Sequence, residues 1–226
     1  MKAIFLLVFS LVFLGLTIKK DEIIKVPVNS KDGIQGIDIS HHNKVYDWKK
    51  ISYNSYFCII KATEGYTFRD PRFKSYWKST EKHKIVRGAY HFFSPDVSAE
   101  KQFKNYSNVV KLKKGDIPPV LDVEVEGINI DEVNKWLRLA EKHYGVKPII
   151  YCGVYYYNTF MKDKIDTSYP IWIADAQIYE SEPICKTHNC IIWQYSDKGR
   201  VEGIYGDVDL DRLLLDGETF HEMLVK

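Results

Sequence analysis

Residues 118–153, PPVLDVEVEGINIDEVNKWLRLAEKHYGVKPIIYCG, read as one strand–helix–strand unit. "PPVLDVEV" is an apolar run entered through two prolines, and "KPIIYCG" is a second such run. Between them, "DEVNKWLRLAEKHYG" has helical period. Asp131 and Glu132 open it, Trp136, Leu137 and Ala140 lie on one stripe, and Gly145 supplies a C-terminal stop. The first strand carries an anomaly. Its side chains alternate between two faces, so Asp122 and Glu124 point one way while Leu121, Val123 and Val125 point the other. A buried charge without a partner is costly even after the protein relaxes, so two neighbouring carboxylates on an inward face need a chemical reason.

Outward from this unit the alternation continues. Apolar runs "GIQGIDIS", "YFCIIKAT" and "IVRGAYHFF" precede it, with helical candidates "DWKKISYN", "PRFKSYWKSTEKHK" and "SAEKQFKNYSNVVK" between the runs. "YPIWIADA", "CIIWQYS" and the weaker "DVDL" follow, with little room for helices between them. Such alternation predicts parallel strands with crossover helices. The fold class is therefore α/β: an irregular, TIM-like β/α barrel of about eight strands with its last helices missing, since the chain is shorter than the roughly 250 residues of a full one. An open doubly wound sheet is the alternative, but no glycine-rich phosphate loop opens a helix.

In a parallel barrel the C-terminal strand ends converge on one rim, where barrel enzymes do their chemistry. Those ends carry Asp38, Ser40, His41 and His42, then Lys61, Thr63 and Glu64, then Tyr90 and His91. The later runs add Asp122, Glu124 and Glu126, Tyr151, Trp172 and Asp175, Trp193, Gln194 and Tyr195, and finally Asp207 and Asp209. The strand starts, by contrast, are apolar.

Two carboxylates at i and i+2 sit about 6–7 Å apart at the backbone, from the strand rise. Like charges at that range disfavour double ionisation, so one group keeps its proton near neutral pH and becomes an acid catalyst of the kind glycosidic cleavage needs. A salt-bridged structural pair is the competing explanation. Other chemistries fit less well. There is no G-x-S-x-G elbow and no H-E-x-x-H, and the adjacent His41 and His42 cannot both face one ion from a regular strand. No metal site and no cofactor is expected, and His91 reads as a hydrogen-bonded structural histidine.

With 45% hydrophobic and 27% charged residues in 226, the chain has enough material for one sizeable core. Basic and acidic residues nearly balance, 32 against 30, so a nucleic-acid partner is excluded. Tyr is the commonest aromatic, at 16, and amphipathic rings suit sugar-binding clefts, though cores use them too. Residues 1–18, with Lys2 and the run "AIFLLVFSLVFLGLTI" over 3–18, read as an export signal or an uncleaved membrane anchor. Residues 19–33 read as a linker and 34–226 as a single catalytic barrel. Cys58 and Cys152 lie in apolar strands, while Cys185 and Cys190 flank a loop short enough for a local disulfide.

The blocks "GIDISHHNKVYDWKKI", "IIKATEGYTFRDPRF", "RGAYHFF", "PPVLDVE", "KPIIYCG", "YPIWIADA" and "IIWQYSDKGRVEGIYGDVDLDR" resemble, in this order, those of glycoside hydrolase family 25. These are the muramidases, or Chalaropsis-type lysozymes. The resemblance implies a flattened β/α barrel that hydrolyses the β-1,4 bond between N-acetylmuramic acid and N-acetylglucosamine in peptidoglycan. It implies Glu124 as general acid and Asp122 as the group that orients the 2-acetamido group of the sugar. Asp38 and Asp209 would then shape and charge the cleft, and Tyr90, Tyr151, Trp172 and Gln194 would line it. Asp207 stands where many members of the family carry Asn, so it joins the substrate-binding candidates, and which of Asp207 and Asp209 faces the sugar stays open. So does the second step: direct attack by a carboxylate, activation of water, or attack by the acetamido oxygen, the last being favoured. The partner implied is peptidoglycan, met outside the cell by an exported or anchored monomer. A catalytically silent glycan-binding barrel is the alternative function.

Overall fold

Eight strands close into a ring in the computed structural model, which describes residues 33–175 and 189–226. The expected export segment and all but the last residue of the linker lie outside the described residues, as does Cys185. In chain order the strands begin with β1 (Gln35–Ile39), β2 (Lys44–Val45), β3 (Phe57–Glu64), β4 (Phe68–Arg69), β5 (Val86–Phe92) and β6 (Val120–Asp122). They continue with β7 (Ile149–Gly153), β8 (Ile171–Ala174), β9 (Cys190–Gly199), β10 (Ile204–Tyr205) and β11 (Val208–Leu213). The helices are α1 (Trp48–Asn54), α2 (Phe73–Lys82), α3 (Ala99–Val109), α4 (Ile130–Tyr144), α5 (Val154–Tyr156), which runs into a π-turn over Tyr157–Met161, and α6 (Gly217–Met223).

Around the ring the order is β1, β3, β5, β6, β7, β8, β9, β11 and back to β1. Seven of these strands run parallel. β11 runs antiparallel to both its neighbours, which corrects the expectation of parallel strands throughout. The reason is connection length: residues 200–207 join β9 to β11, and a parallel return needs a crossover of a dozen residues or more. β4 pairs antiparallel with the end of β3 at the rim, and β2 pairs with β10 in a separate ribbon.

Alternation along the strands divides the core in two. Ile37, Ile60, Leu121, Val123 and Ile150 face outward and pack with Val133, Trp136, Leu137 and Ala140 of α4 and with the other helices. Phe57, Ile59, Val120, Ile149 and Leu213 face inward and fill the lower barrel, which Phe220 of α6 and Leu224 close from below. The packing is tight enough to demand glycine: a Cβ on Gly36 would stand 2.2 Å from the Phe57 ring. α4 forms as its sequence predicts, with Asn129 accepting from the Asp131 N–H at its start and Gly145 at φ 72° ending it. Helix α4 and strands β6 and β7 thus hold the upper ends of the strands in place, and the apolar lower barrel leaves those ends free for polar side chains.

Candidate active site

Above the apolar layers the inward positions turn acidic. A cavity of about 180 Å³ opens at the rim, lined by the carboxyl groups of Asp38, Asp122, Glu124 and Asp209. Tyr90, Phe92, Tyr151 and Trp172 form its walls, and Ser40, His42, Lys61 and Gln194 complete them. A second cavity of about 240 Å³ shares Glu124, Tyr151 and Gln194 and continues past Asp175 and Asp197. Glu124 therefore stands at the junction of the two. A larger hollow, about 460 Å³, lies beneath the barrel beside α6, but its described lining has one acidic side chain, Glu222, and none of the rim residues.

Each acid is placed by local geometry. β6 ends at Asp122, so the expectation that Glu124 sits inside the strand needs correction: it lies in the extended segment just beyond. That segment stays in line because Val123 donates to the Tyr151 carbonyl (2.9 Å) and Phe93 donates to that of Asp122 (2.9 Å). Asp38 and Asp209 are direct partners across the antiparallel β1–β11 pair. Asp209 reaches the rim from the starting end of its strand, because β11 is reversed. The two candidates Asp207 and Asp209 are placed differently. Asp209 lines the cavity, whereas Asp207 lies before the strand, exposed, and pairs with Arg200 Nη2 at 2.8 Å.

A hydrogen-bond chain fixes the walls. The Tyr151 hydroxyl donates to Gln194 Oε1 (2.9 Å), which turns the amide so that Gln194 Nε2 donates to Asp38 Oδ2 (2.7 Å). Trp172, whose ring lies 4.4 Å from that of Tyr151, donates through Nε1 to Asp211 Oδ1 (3.0 Å). Asp211, fully buried, is an acid that sequence reasoning misses. The signal is present, since Asp211 follows Asp209 by two positions in the same strand and so shares its face. Lys61, which the sequence places at a strand end without a role, is the single Lys or Arg among the described residues lining the acidic cavity.

Five carboxyl groups held this close resist ionisation. Burial raises Asp38 well above the usual carboxylate range, and the charges of Asp211 and Asp209 add to it. Burial does the same for Asp122, helped by Glu124 and opposed by Lys61. Glu124 is raised by burial and by Asp209, Asp209 itself to about 6 by burial, and Asp211 by burial and Asp209. His91 behaves as a structural residue. It is fully buried, contacts Thr63 Oγ1 (2.7 Å) and Gln102 Oε1 (3.1 Å), and is lowered to about 4 by burial, so it is neutral.

The profile of Glycosyl hydrolases family 25 matches residues 37–204, most of the described chain. The chain belongs to this family. Its relatives include "Uncharacterized protein YegX" of Escherichia coli K12, 37% identical over 210 residues that cover 88% of this chain and 75% of that one. "Lysozyme M1" of Streptomyces globisporus is 29% identical over 198 residues, covering 80% of this chain and 67% of that protein. Among solved structures, a family 25 glycosyl hydrolase from Bacillus anthracis superposes with a TM-score of 0.77 at 29% identity, covering 86% of this chain and 95% of that one. This family 25 member is thus a glycoside hydrolase on an α/β barrel, and the acid-lined rim is where two carboxyl roles, proton donor and charge stabiliser, can be filled.

Proposed function

We propose that the chain is a muramidase, cleaving the β-1,4 bond between N-acetylmuramic acid and N-acetylglucosamine in peptidoglycan with Glu124 as general acid. The observation that carries this reading is the position of Glu124. It stands where the two rim cavities meet, with its carboxyl raised by burial and by Asp209. A carboxylic acid that keeps its proton at the junction of two sugar-sized spaces can deliver it to the oxygen that links the sugars.

Asp122 lies deeper, and its Oδ1 has no hydrogen-bond partner among the described residues. That free acceptor suits the N–H of a 2-acetamido group. In the order of events we favour, Glu124 gives its proton to the leaving oxygen as the glycosidic bond breaks, and the acetamido carbonyl oxygen bonds to the anomeric carbon. Asp122 accepts the N–H hydrogen bond and offsets the positive charge on the resulting ring. Glu124, now a carboxylate, takes a proton from water as the water opens that ring, and the anomeric configuration is retained. Asp38 and Asp209 supply negative charge near the oxocarbenium-like centre, and Tyr90, Tyr151, Trp172 and Gln194 hold the sugar. A wall polymer must be met outside the membrane, which the export segment over residues 3–18 would allow; the intact mass of the exported protein tells a cleaved signal from an anchor.

The decisive experiment is mass spectrometry of fragments released from purified peptidoglycan. A reducing N-acetylmuramic acid end is expected, and a reducing N-acetylglucosamine end rejects the assignment. Proton NMR of the first-formed anomer separates the routes: the β-anomer is expected, and initial release of the α-anomer rules out retention.

A further inference from the structure

Asp211 is wholly buried and does not line the acidic cavity, yet two of the cavity's wall residues are tied to it. One is Trp172, whose Nε1 donates to Asp211 Oδ1 at 3.0 Å. The other is Gln194, its register partner across the β9–β11 pair. The pairing of those two strands slips between Leu210 and Asp211, and an irregularity of this kind beside a site serves to aim a side chain. Across its other neighbour, β1, Asp211 stands opposite Gly36, where a Cβ would meet the Phe57 ring at 2.2 Å. Its second oxygen, Oδ2, has no hydrogen-bond partner among the described residues. A buried acid is a costly way to fill space. The hydrogen bond that this one's side chain makes goes to a wall of the cavity.

We propose that Asp211 is a positioning residue of the reaction, its carboxyl oxygen fixing the Trp172 indole as a rigid wall for the sugar in the cavity. The proposal rests on the muramidase reading above. Trp172 sits on β8 between β7 and β9, and its ring lies 4.4 Å from that of Tyr151. A strand position and one ring contact leave the indole free to turn about its side-chain bonds, and a hydrogen bond at Nε1 removes that freedom. The restraint is passed on. Tyr151, held against Trp172, donates to Gln194, and Gln194 donates to Asp38. Asp211 thus anchors one end of this series of walls and Asp38 the other. An indole N–H can only donate, so what it asks of its partner is an acceptor and not a charge. A wall preset in this way holds the bound sugar and the transition state alike, which places the effect of Asp211 on KM and not on kcat.

The test compares Asp211→Leu, which fills the space without an acceptor, with Asp211→Asn, which keeps one. In Asp211→Leu the KM for soluble peptidoglycan fragments is expected to rise about fivefold to tenfold, with kcat within about twofold. Asp211→Asn restores KM to within about twofold of the parent. In a Trp172→Phe background the Leu substitution should change KM no further, because the group it acts through has gone. Asp211→Ala replaces Asp211→Leu if the latter does not fold. An unmoved KM in the variant without an acceptor, no rescue by Asn, or an undiminished effect without the indole overturns the proposal. Proton–nitrogen NMR of the free protein gives a readout independent of turnover. The Trp172 indole N–H resonance, identified by its loss in Trp172→Phe, should move upfield in Asp211→Leu and stay near its place in Asp211→Asn. An unmoved resonance in Asp211→Leu refutes the role of Asp211 whatever the fate of the muramidase assignment. Fragments with a reducing N-acetylglucosamine end, conversely, would sink that assignment and leave the indole shift standing.

Discussion

Asp116 and Asp122 are equally buried, each 6% exposed, near opposite ends of the barrel, yet their surroundings differ. Asp116 accepts from Arg87 Nε at 2.8 Å, from Arg87 Nη2 at 3.4 Å and from the Lys113 N–H at 2.8 Å, and the same Arg87 stacks on Trp77 at 4.2 Å. Asp122 has an oxygen with no partner among the described residues, and Glu124 for a neighbour. Below the barrel a buried carboxylate is neutralised and held; at the rim four more are gathered with one lysine among the described lining residues. The lower arrangement is what stability asks of a buried charge. The upper one opposes stability and becomes intelligible only as chemistry, where unpaired acids keep protons and leave acceptors for a substrate.

The contrast predicts separable effects. The largest is at Glu124: Glu124→Gln should lower wall hydrolysis by about 10²–10⁴-fold with no loss of thermal stability. A turbidity assay on cell walls beside a melting curve checks both halves, and a variant that loses its fold as well as its activity breaks the comparison. Arg87→Met should do the reverse, costing about 3–5 kcal/mol of stability while the folded protein keeps its kcat, as denaturant titration and steady-state kinetics would show.

Asp209→Asn should stabilise. A carboxyl raised to about 6 in the folded state binds protons there that the unfolded chain has already lost. Its contribution is therefore most favourable below the ordinary carboxylate value, declines as pH rises from about 4 to about 6, and stays diminished above. Removing the charge should gain about 1–2 kcal/mol at pH 7, after allowance for its partial exposure, and nothing at pH 4. Melting curves of both proteins across that range give the difference, and a gain that persists at pH 4 contradicts burial of the charged form as the cause. Smallest is Tyr151→Phe, which deletes the donor to Gln194 and should cost about 1 kcal/mol, with KM rising because the amide that holds Asp38 loses its orientation.

Much of this was legible in one dimension. Period-two alternation separated Leu121 and Val123 from Asp122, and the 3.6-residue stripe of Trp136, Leu137 and Ala140 marked α4 together with its stop at Gly145. The ordered blocks pointed to the family. What failed did so where local pattern says nothing about partners. "VDLDR" has the same alternation whichever way its strand runs, so it marks Asp209 and Asp211 as sharing a face but says nothing of the reversal of β11. Asp207 looked equivalent to Asp209 because period two was applied past the end of a strand whose start the sequence did not mark.

By itself, the sequence determined which side chains share a face, because alternation is a property of the backbone between neighbours. The tertiary structure alone decided which faces meet. Asp38 lies opposite Asp209 because a short connection reverses the last strand, although the two residues are far apart in the chain. Lys61 stands over Phe92, which pairs with Asp122, because β3, β5 and β6 lie side by side, with a register shift after Lys61. Shifted protonation, and with it the acid role we assign to Glu124, follows from burial and from charges brought together across strands, quantities that exist only once the barrel has closed.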